Sequence, residues 1–180
     1  MRTALIIHGY EGHAGIHWQQ WLHDELEKRG YKVLMPEMPA PDQPDRQAWL
    51  MTLQQTLADV NLEQLTMIGH SLGVVAALDF IEQASVPVNR LLSVAGFAQD
   101  YGAESTGPFL RQKTLDLQKV RANLRWAAVV YGDNDPYVPQ AALQHLANDL
   151  GVQPVVIAGG GHLNTEAGFA EFPRLLELLA

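Results

Sequence analysis

A serine between two glycines is the first group in this sequence whose surroundings suggest chemistry. The stretch TMIGHSLGVVAA, residues 66–77, places Ser71 between Gly69 and Gly73. A Gly-x-Ser-x-Gly turn between a strand and a helix exposes the serine hydroxyl at the helix N-terminus, where unpaired N–H groups favour negative charge. Because the pattern also arises by chance, residues elsewhere in the chain must decide between a nucleophile and an ordinary turn serine.

Candidates for a base and an acid follow later in the chain. His162 lies in AGGGHLN, and Asp133 and Asp135 lie in YGDNDPYVP. Alone, His162 is more typical of a surface loop, but a serine, an acid and a histidine in this order form a recurring catalytic triad. We therefore predict that Ser71 is the nucleophile, His162 the base and Asp135 the acid. Asp135 is preferred because it lies farther beyond the strand, whereas Asp133 is placed to cap the turn at Gly132.

Acyl transfer also needs donors for the oxyanion and a pocket for the substrate. We expect the backbone N–H groups of Leu72, directly after the serine, and Tyr10, in the HGY loop, to be those donors. Aromatic residues near a sheet edge belong to the core at least as often as they line a pocket. The four aromatic candidates for an apolar pocket are Phe97, Tyr101, Phe109 and Tyr137.

The elements that must position these residues alternate between strands and helices. Helical spacing is clear in HWQQWLHDELEKRG, DRQAWLMTLQQTLADV, PQAALQHLANDLG and GFAEFPRLLELLA. This alternation predicts a three-layer α/β domain over residues 1–180 with a mostly parallel sheet and helices on both faces. The short apolar runs that fit buried strands are Thr3–His8, Lys32–Met35, Gln64–Gly69, Arg90–Ala95, Trp126–Tyr131 and Val152–Ile157.

Composition excludes several classes of function. The chain has no cysteine, which rules out disulfides, thiolate metal sites and a cysteine nucleophile. Its formal net charge of -8 disfavours nucleic acid and anionic lipid as partners. The apolar runs are too short for a signal peptide or a membrane span, so we expect a cytoplasmic protein. His13 and His17 have a helical ligand spacing but no evident third ligand, so we expect no metal and no cofactor.

The quoted motifs together resemble a known family. The stretches IIHGYEGHAGIHWQQWL, MPAPDQPDRQAWL, IGHSLG, VAGF, DNDPYVP and GGGHLN are similar to those of the small serine hydrolases grouped as the YdeN-like and retinoblastoma-binding-protein-nine family, within the α/β-hydrolase superfamily. The resemblance covers essentially the whole chain. It implies a compact six-stranded α/β-hydrolase sheet of order 2-1-3-4-5-6, and it carries the roles of nucleophile, acid and base to Ser71, Asp135 and His162.

These observations predict a serine hydrolase that cleaves small carboxylic esters or amides. About 30 residues separate Ala95 from the next strand, too few for a cap domain, so we expect an open site. Thioesters, aminoacyl esters and peptides share the same acyl chemistry and stay open as substrates. The alternative is a hydrolase-fold protein that serves mainly as an interaction module. The oligomeric state stays open between a monomer and a weak dimer.

Overall fold

Six parallel strands form one sheet in the computed structural model, which describes residues 1–180. The strand order is β2-β1-β3-β4-β5-β6, and every neighbouring pair is parallel. The predicted fold class and strand order are therefore confirmed. The strands are β1 (Thr3–Ile7), β2 (Lys32–Leu34), β3 (Leu65–His70), β4 (Val88–Val94), β5 (Leu124–Gly132) and β6 (Val155–Ile157).

Seven α-helices connect or follow these strands. Their starts reflect local chemistry: Asp45 accepts a hydrogen bond from Ala48 N at the start of the second helix, and Pro173 occupies the first position of the last, where its missing N–H costs nothing. The helices are α1 (Gln19–Lys28), α2 (Arg46–Thr56), α3 (Leu72–Gln83), α4 (Gly107–Leu110), α5 (Leu117–Ala122), α6 (Gln140–Leu150) and α7 (Pro173–Leu179). No helix is both long enough and apolar enough to cross a bilayer.

The two faces of the sheet bury separate apolar layers. Ala4 and Ile6 of β1 belong to the layer covered by α1 and α7, whereas Leu5 and Ile7 belong to the layer covered by α2, α3, α5 and α6. Successive side chains of a strand point to opposite faces, so a strand buried on both sides is continuously apolar. This explains why the central strands contain short apolar runs that can be recognised in the sequence.

The connection between β4 and β5 differs from the other crossovers. It contains only the short helices α4 and α5, and it has no core of its own. The sequence patterns did not predict these helices, because a segment of six residues or fewer is too short to show a repeating apolar pattern with helical spacing. The connection lies beyond the carboxyl end of β4, next to the ends of β3 and β5, so it can contribute residues to any site at that edge of the sheet.

Candidate active site

Ser71 occupies a strained turn between β3 and α3. Its backbone has φ 54° and ψ -121°, in a region that non-glycine residues rarely adopt. A Cβ on Gly69 would lie 2.8 Å from the Val74 backbone, and one on Gly73 would lie 2.5 Å from the carbonyl oxygens of Ile7 and His8. Both glycines are therefore required, and Gly73 is required because the first turn of α3 packs directly on the end of β1.

His162 and Asp135 form a buried hydrogen-bonded pair. His162 Nδ1 lies 2.7 Å from Asp135 Oδ2, and the Asp135 side chain is fully buried. The other oxygen, Oδ1, accepts hydrogen bonds from the backbone N–H groups of Tyr137 at 2.9 Å and Val138 at 3.0 Å. Because a carboxylate only accepts, Nδ1 carries the proton and Nε2 keeps a free lone pair. A neutral His162 is thus arranged to accept a proton through Nε2.

Asp133 and Asn134, which precede the acid, hold the glycine-rich loop that carries His162. Asp133 Oδ1 accepts from Gly159 N at 2.8 Å, and Asn134 Oδ1 accepts from Gly161 N at 2.7 Å. Both bonds cross from the end of β5 to the loop after β6. The side chain of Asp133 therefore acts on this loop and not within the turn at Gly132, where it was predicted to form a cap.

Ser71 and His162 line one cavity of about 410 Å³ at the carboxyl ends of the strands. Tyr10, Tyr101 and Tyr137 also line it. The Tyr137 ring meets the His162 ring edge-on, with centroids 5.2 Å apart.

Two of the predicted pocket residues lie elsewhere. Phe97 and Phe109 are buried in the main apolar layer, at 0% and 1% exposure, and neither lines the cavity. Phe109 packs edge-on against Trp49 of α2, and Phe97 packs edge-on against Tyr101. The prediction that they line the pocket is wrong, because both rings are buried in the main apolar layer, while Tyr101, Ser105 and Thr106 of the same connection line the cavity.

The whole chain can be compared with known proteins on this basis. Residues 4–180 match the family of proteins described as serine hydrolases. The chain belongs to the serine hydrolase family. It is 31% identical to YdeN of Bacillus subtilis, which is named as a hydrolase, over 99% of this chain and 94% of YdeN. It is 29% identical to the serine hydrolase RBBP9 of Rattus norvegicus, over 89% of this chain and 84% of that protein.

Solved structures agree with this membership. The crystal structure of the ydeN gene product of Bacillus subtilis matches with a TM-score of 0.91 at 28% identity, over 99% of this chain and 97% of that one. A YdeN-like hydrolase of Pectobacterium atrosepticum matches with a TM-score of 0.73 at 21% identity, over 99% of this chain and 89% of that one. At this identity the match supports only the fold. The chain is therefore a serine hydrolase with an α/β-hydrolase fold.

The backbone N–H groups of Leu72 and Tyr10 lie near Ser71 in this serine hydrolase, and neither donates a hydrogen bond within the protein. Leu72 is the first residue of α3, and the first N–H groups of a helix have no partner within it. Tyr10 N donates to no acceptor in the protein. Gly9, next to Tyr10, approaches the serine closely: a Cβ on Gly9 would lie 3.1 Å from Ser71 Cβ and 3.5 Å from Leu72 N. The loop after β1 and the start of α3 therefore face the same space.

His8 holds the loop after β1 in place. Its Nδ1–H donates to Gly9 O at 2.9 Å, and its Nε2 accepts from Met38 N at 3.0 Å. The ring is fully buried, and this desolvation lowers the pKa of His8 below its usual 6.5. A neutral His8 is required for both bonds, since the charged ring would have no lone pair for Met38 N.

His70, the residue before Ser71, also lines the cavity. It is the last residue of β3 and is buried, and its Nε2 lies 2.9 Å from the carbonyl oxygen of His162. Burial above all, and then the neighbouring His162, lowers the pKa of His70 well below 6.5. Its partner lies 92 residues away in the chain, so no local pattern revealed the contact.

The cavity holds several further titratable groups. Glu11, His17 and Glu166 line it together with the residues above. Burial is the main cause that lowers the pKa of His17, while the carboxylate of Glu166 opposes that shift. No three His, Cys, Asp or Glu side chains come together in an arrangement that could hold a metal ion.

Proposed function

We propose that this serine hydrolase is carboxylesterase-like and cleaves small carboxylic esters or amides through an acyl-enzyme on Ser71. The observation that carries the proposal is the His162–Asp135 pair. Its carboxylate is fixed by three donors, and its histidine lines the same cavity as a serine held in a strained turn. A structural ion pair would have no need of a nucleophile in this position.

In the proposed reaction, Ser71 Oγ attacks the carbonyl carbon of the substrate while His162 Nε2 takes its proton. Asp135 keeps the ring oriented and stabilises the imidazolium that forms. The tetrahedral oxyanion accepts hydrogen bonds from the N–H groups of Leu72 and Tyr10. Collapse of this intermediate breaks the bond to the alcohol or amine, which leaves with the proton from His162. Water then attacks the acyl carbonyl while His162 Nε2 takes a proton from it. Collapse of this second intermediate breaks the bond to Ser71 Oγ, which regains the proton, and the carboxylic acid leaves.

The cavity supports a small substrate. Its volume of about 410 Å³ lies within the range of small-molecule sites, and Tyr101 and Tyr137 offer apolar ring faces beside polar groups. Thioesters, aminoacyl esters and short peptides present the same carbonyl to the same groups. We propose simple short-chain esters as the first class to screen, because an alcohol leaving group departs more readily than an amine and a short acyl chain suits a small cavity.

Labelling with a fluorophosphonate tests the proposal directly. We expect the wild-type protein to gain one adduct, located on Ser71 by peptide mapping, and the Ser71→Ala variant to gain none. Hydrolysis of short-chain esters by that variant should fall by about 10⁴-fold or more, because loss of the nucleophile removes the covalent route. A folded wild-type protein without label would contradict the proposal and favour an interaction module, whose binding should survive the substitution.

A further inference from the structure

We propose that His17, Trp18 and His70 form a clamp that positions the catalytic base by holding the backbone of residues 162–165. This inference rests on the proposed function of His162. The three residues are called the histidine-loop clamp below. They come from the HW pair before α1 and from the end of β3, and none of them is needed for proton transfer itself.

The loop that carries His162 has a backbone conformation that must be enforced. Leu163, the next residue, has φ 51° although it is not a glycine, and it is completely buried. A residue of this kind in the left-handed region persists only where its surroundings over-determine it. The position of His162 depends on this bend, because the bend directly follows it.

Two buried ring N–H groups hold the two carbonyl oxygens at the bend. Trp18 Nε1 donates to Leu163 O at 2.9 Å, and His70 Nε2 lies 2.9 Å from His162 O. Because a carbonyl oxygen only accepts, the Nε2 of His70 must carry the proton and the ring acts as a donor. Both bonds are buried, so loss of either donor would leave a carbonyl group without compensation from water.

A third contact holds the next part of the loop. His17 Nδ1 accepts from Thr165 N at 3.2 Å and lies 3.0 Å from Thr165 Oγ1. The rings of the clamp also touch: the His70 centroid lies 5.4 Å from that of His17 and 5.8 Å from that of Trp18. The HW pair and the residue before the nucleophile thus form one packed unit around the loop.

The clamp completes the restraint of His162. Asp135 restrains the imidazole through Nδ1, and the clamp restrains the backbone from which the imidazole extends. Since His70 directly precedes Ser71, its bond to His162 O ties the base loop to the nucleophile turn. An error of about 1 Å in such a geometry can cost roughly 100-fold in rate. Trp18 does not line the cavity, so its part of the clamp acts on the rate of proton transfer and not on substrate binding.

Trp18→Phe is the most informative variant, because it removes the indole N–H, keeps an aromatic ring and alters a residue that does not line the cavity. We expect kcat for a short-chain ester, and the rate of fluorophosphonate labelling, to fall about tenfold while KM stays within about twofold. Trp21→Phe is the matched control, since Trp21 lies on α1 and packs against the same apolar layer. It should leave both rates unchanged.

His70 provides a second test that does not depend on the first. His70→Gln can keep an N–H near the position of Nε2, whereas His70→Phe cannot. We expect labelling by the Gln variant to stay within about threefold of wild type and labelling by the Phe variant to fall about tenfold. If Trp18→Phe fails to fold, as judged by urea unfolding, this pair decides the question.

A spectroscopic measurement separates failure of the clamp from failure of the proposed function. The His162 Nδ1–H proton bonded to Asp135 should give a downfield proton NMR signal, absent in His162→Gln. We expect this signal to broaden or shift in Trp18→Phe and to stay in Trp21→Phe. Unchanged labelling and an unchanged signal in Trp18→Phe and His70→Phe would overturn the clamp, whereas a wild-type protein without label would overturn the proposed function.

Discussion

Backbone strain is concentrated around Ser71. Six residues other than glycine have positive φ, and three of them, Glu11, His17 and Ser71, line the cavity. A fourth, Leu163, directly follows His162. Each is held by a specific bond, such as Ser71 N to Val94 O at 2.9 Å and Glu11 N to Pro41 O at 2.8 Å. Strained residues persist where surrounding bonds over-determine them, so the site depends on its supporting shell as much as on the triad.

The burial of His70 makes the stability of the protein depend on pH. Its pKa in the native state lies well below the usual 6.5 because of burial, so below pH 6.5 the unfolded chain binds a proton that the native state does not. Stability should therefore be full above pH 6.5 and fall as the pH falls. Between pH 6.5 and 5.5 this one group should cost about 1 kcal/mol of unfolding free energy.

Urea unfolding of the wild type and His70→Gln at pH 7.5, 6.5 and 5.5 checks this prediction. The difference between the two proteins at pH 7.5 is the baseline, because both states then hold an uncharged group at position 70. On acidification the wild type should lose more stability than the variant. Parallel pH profiles would show that His70 is protonated equally in both states.

At the scale of elements, a buried ion network fastens the connection between β4 and β5 to the helices beneath it. Arg46 of α2 forms a two-pronged ion pair with Asp79 of α3 at 2.7 and 3.0 Å, and both are almost completely buried. The same guanidinium donates to Leu110 O at 2.9 Å and Lys113 O at 2.6 Å. The lysine side chain in turn binds Asp79 and Glu82. The connection that supplies part of the cavity wall is thus held by charges.

Removal of one charge should be far more damaging than removal of the pair. Asp79→Asn leaves Arg46 buried without its main partner and should cost about 3–5 kcal/mol in unfolding free energy. The double variant Arg46→Met with Asp79→Leu should recover part of that loss. Glu63→Gln, which breaks the exposed pair with Arg125, is the control and should cost under about 1 kcal/mol. Urea unfolding measures all three, and an equal loss for Asp79→Asn and Glu63→Gln would contradict the network's role.

The elements were predictable from the sequence to the extent that they are buried on both faces or carry local signals. All six strands were found, although β4 starts earlier than expected, at Val88, and β6 starts later, at Val155. The predicted start of β6 at Val152 was too early because Pro154 has no N–H for the ladder. The triad candidates were predictable because each follows a strand, and parallel strands end at the same edge.

Contacts between distant elements were not predictable from the sequence. The orientation of Phe97 and Phe109 depends on α2 and α3, which the connection after β4 meets only in the folded state. Trp18 binds a carbonyl oxygen 145 residues away. Periodicity records which face of an element is apolar, but it does not record which element covers that face. The contacts that support the site could therefore not be predicted, whereas the candidate residues Ser71, Asp135 and His162 could be selected from the sequence.

At the scale of the whole molecule, the charge balance favours cationic over anionic substrates. The chain has 20 acidic and 12 basic residues, and Glu11 and Glu166 line the cavity itself. Charges of one sign around a cleft raise the local concentration of the opposite ion. The effect is screened by salt, since the Debye length is about 10 Å at 0.1 M.

Two ethyl esters of the same shape test this preference. One is the ethyl ester of betaine, which carries a trimethylammonium group, and the other is its uncharged carbon analogue, ethyl 3,3-dimethylbutanoate. Their intrinsic reactivities differ, so the informative quantity is how the ratio of their kcat/KM values changes with salt. Between about 20 and 500 mM NaCl, the ratio should fall roughly threefold in the wild type, because screening removes the attraction for the cation alone.

Substitution of one cavity carboxylate locates the source of this attraction. Glu11→Gln should lower the ratio at low salt and weaken its dependence on salt, because the side chain of Glu11 lines the cavity and is exposed. Glu63→Gln removes the same charge just before β3, at the amino ends of the strands and far from the cavity at their carboxyl ends. It should have a smaller effect. Equal effects of the two variants would assign the preference to net charge, and a ratio independent of salt would contradict electrostatic selection altogether.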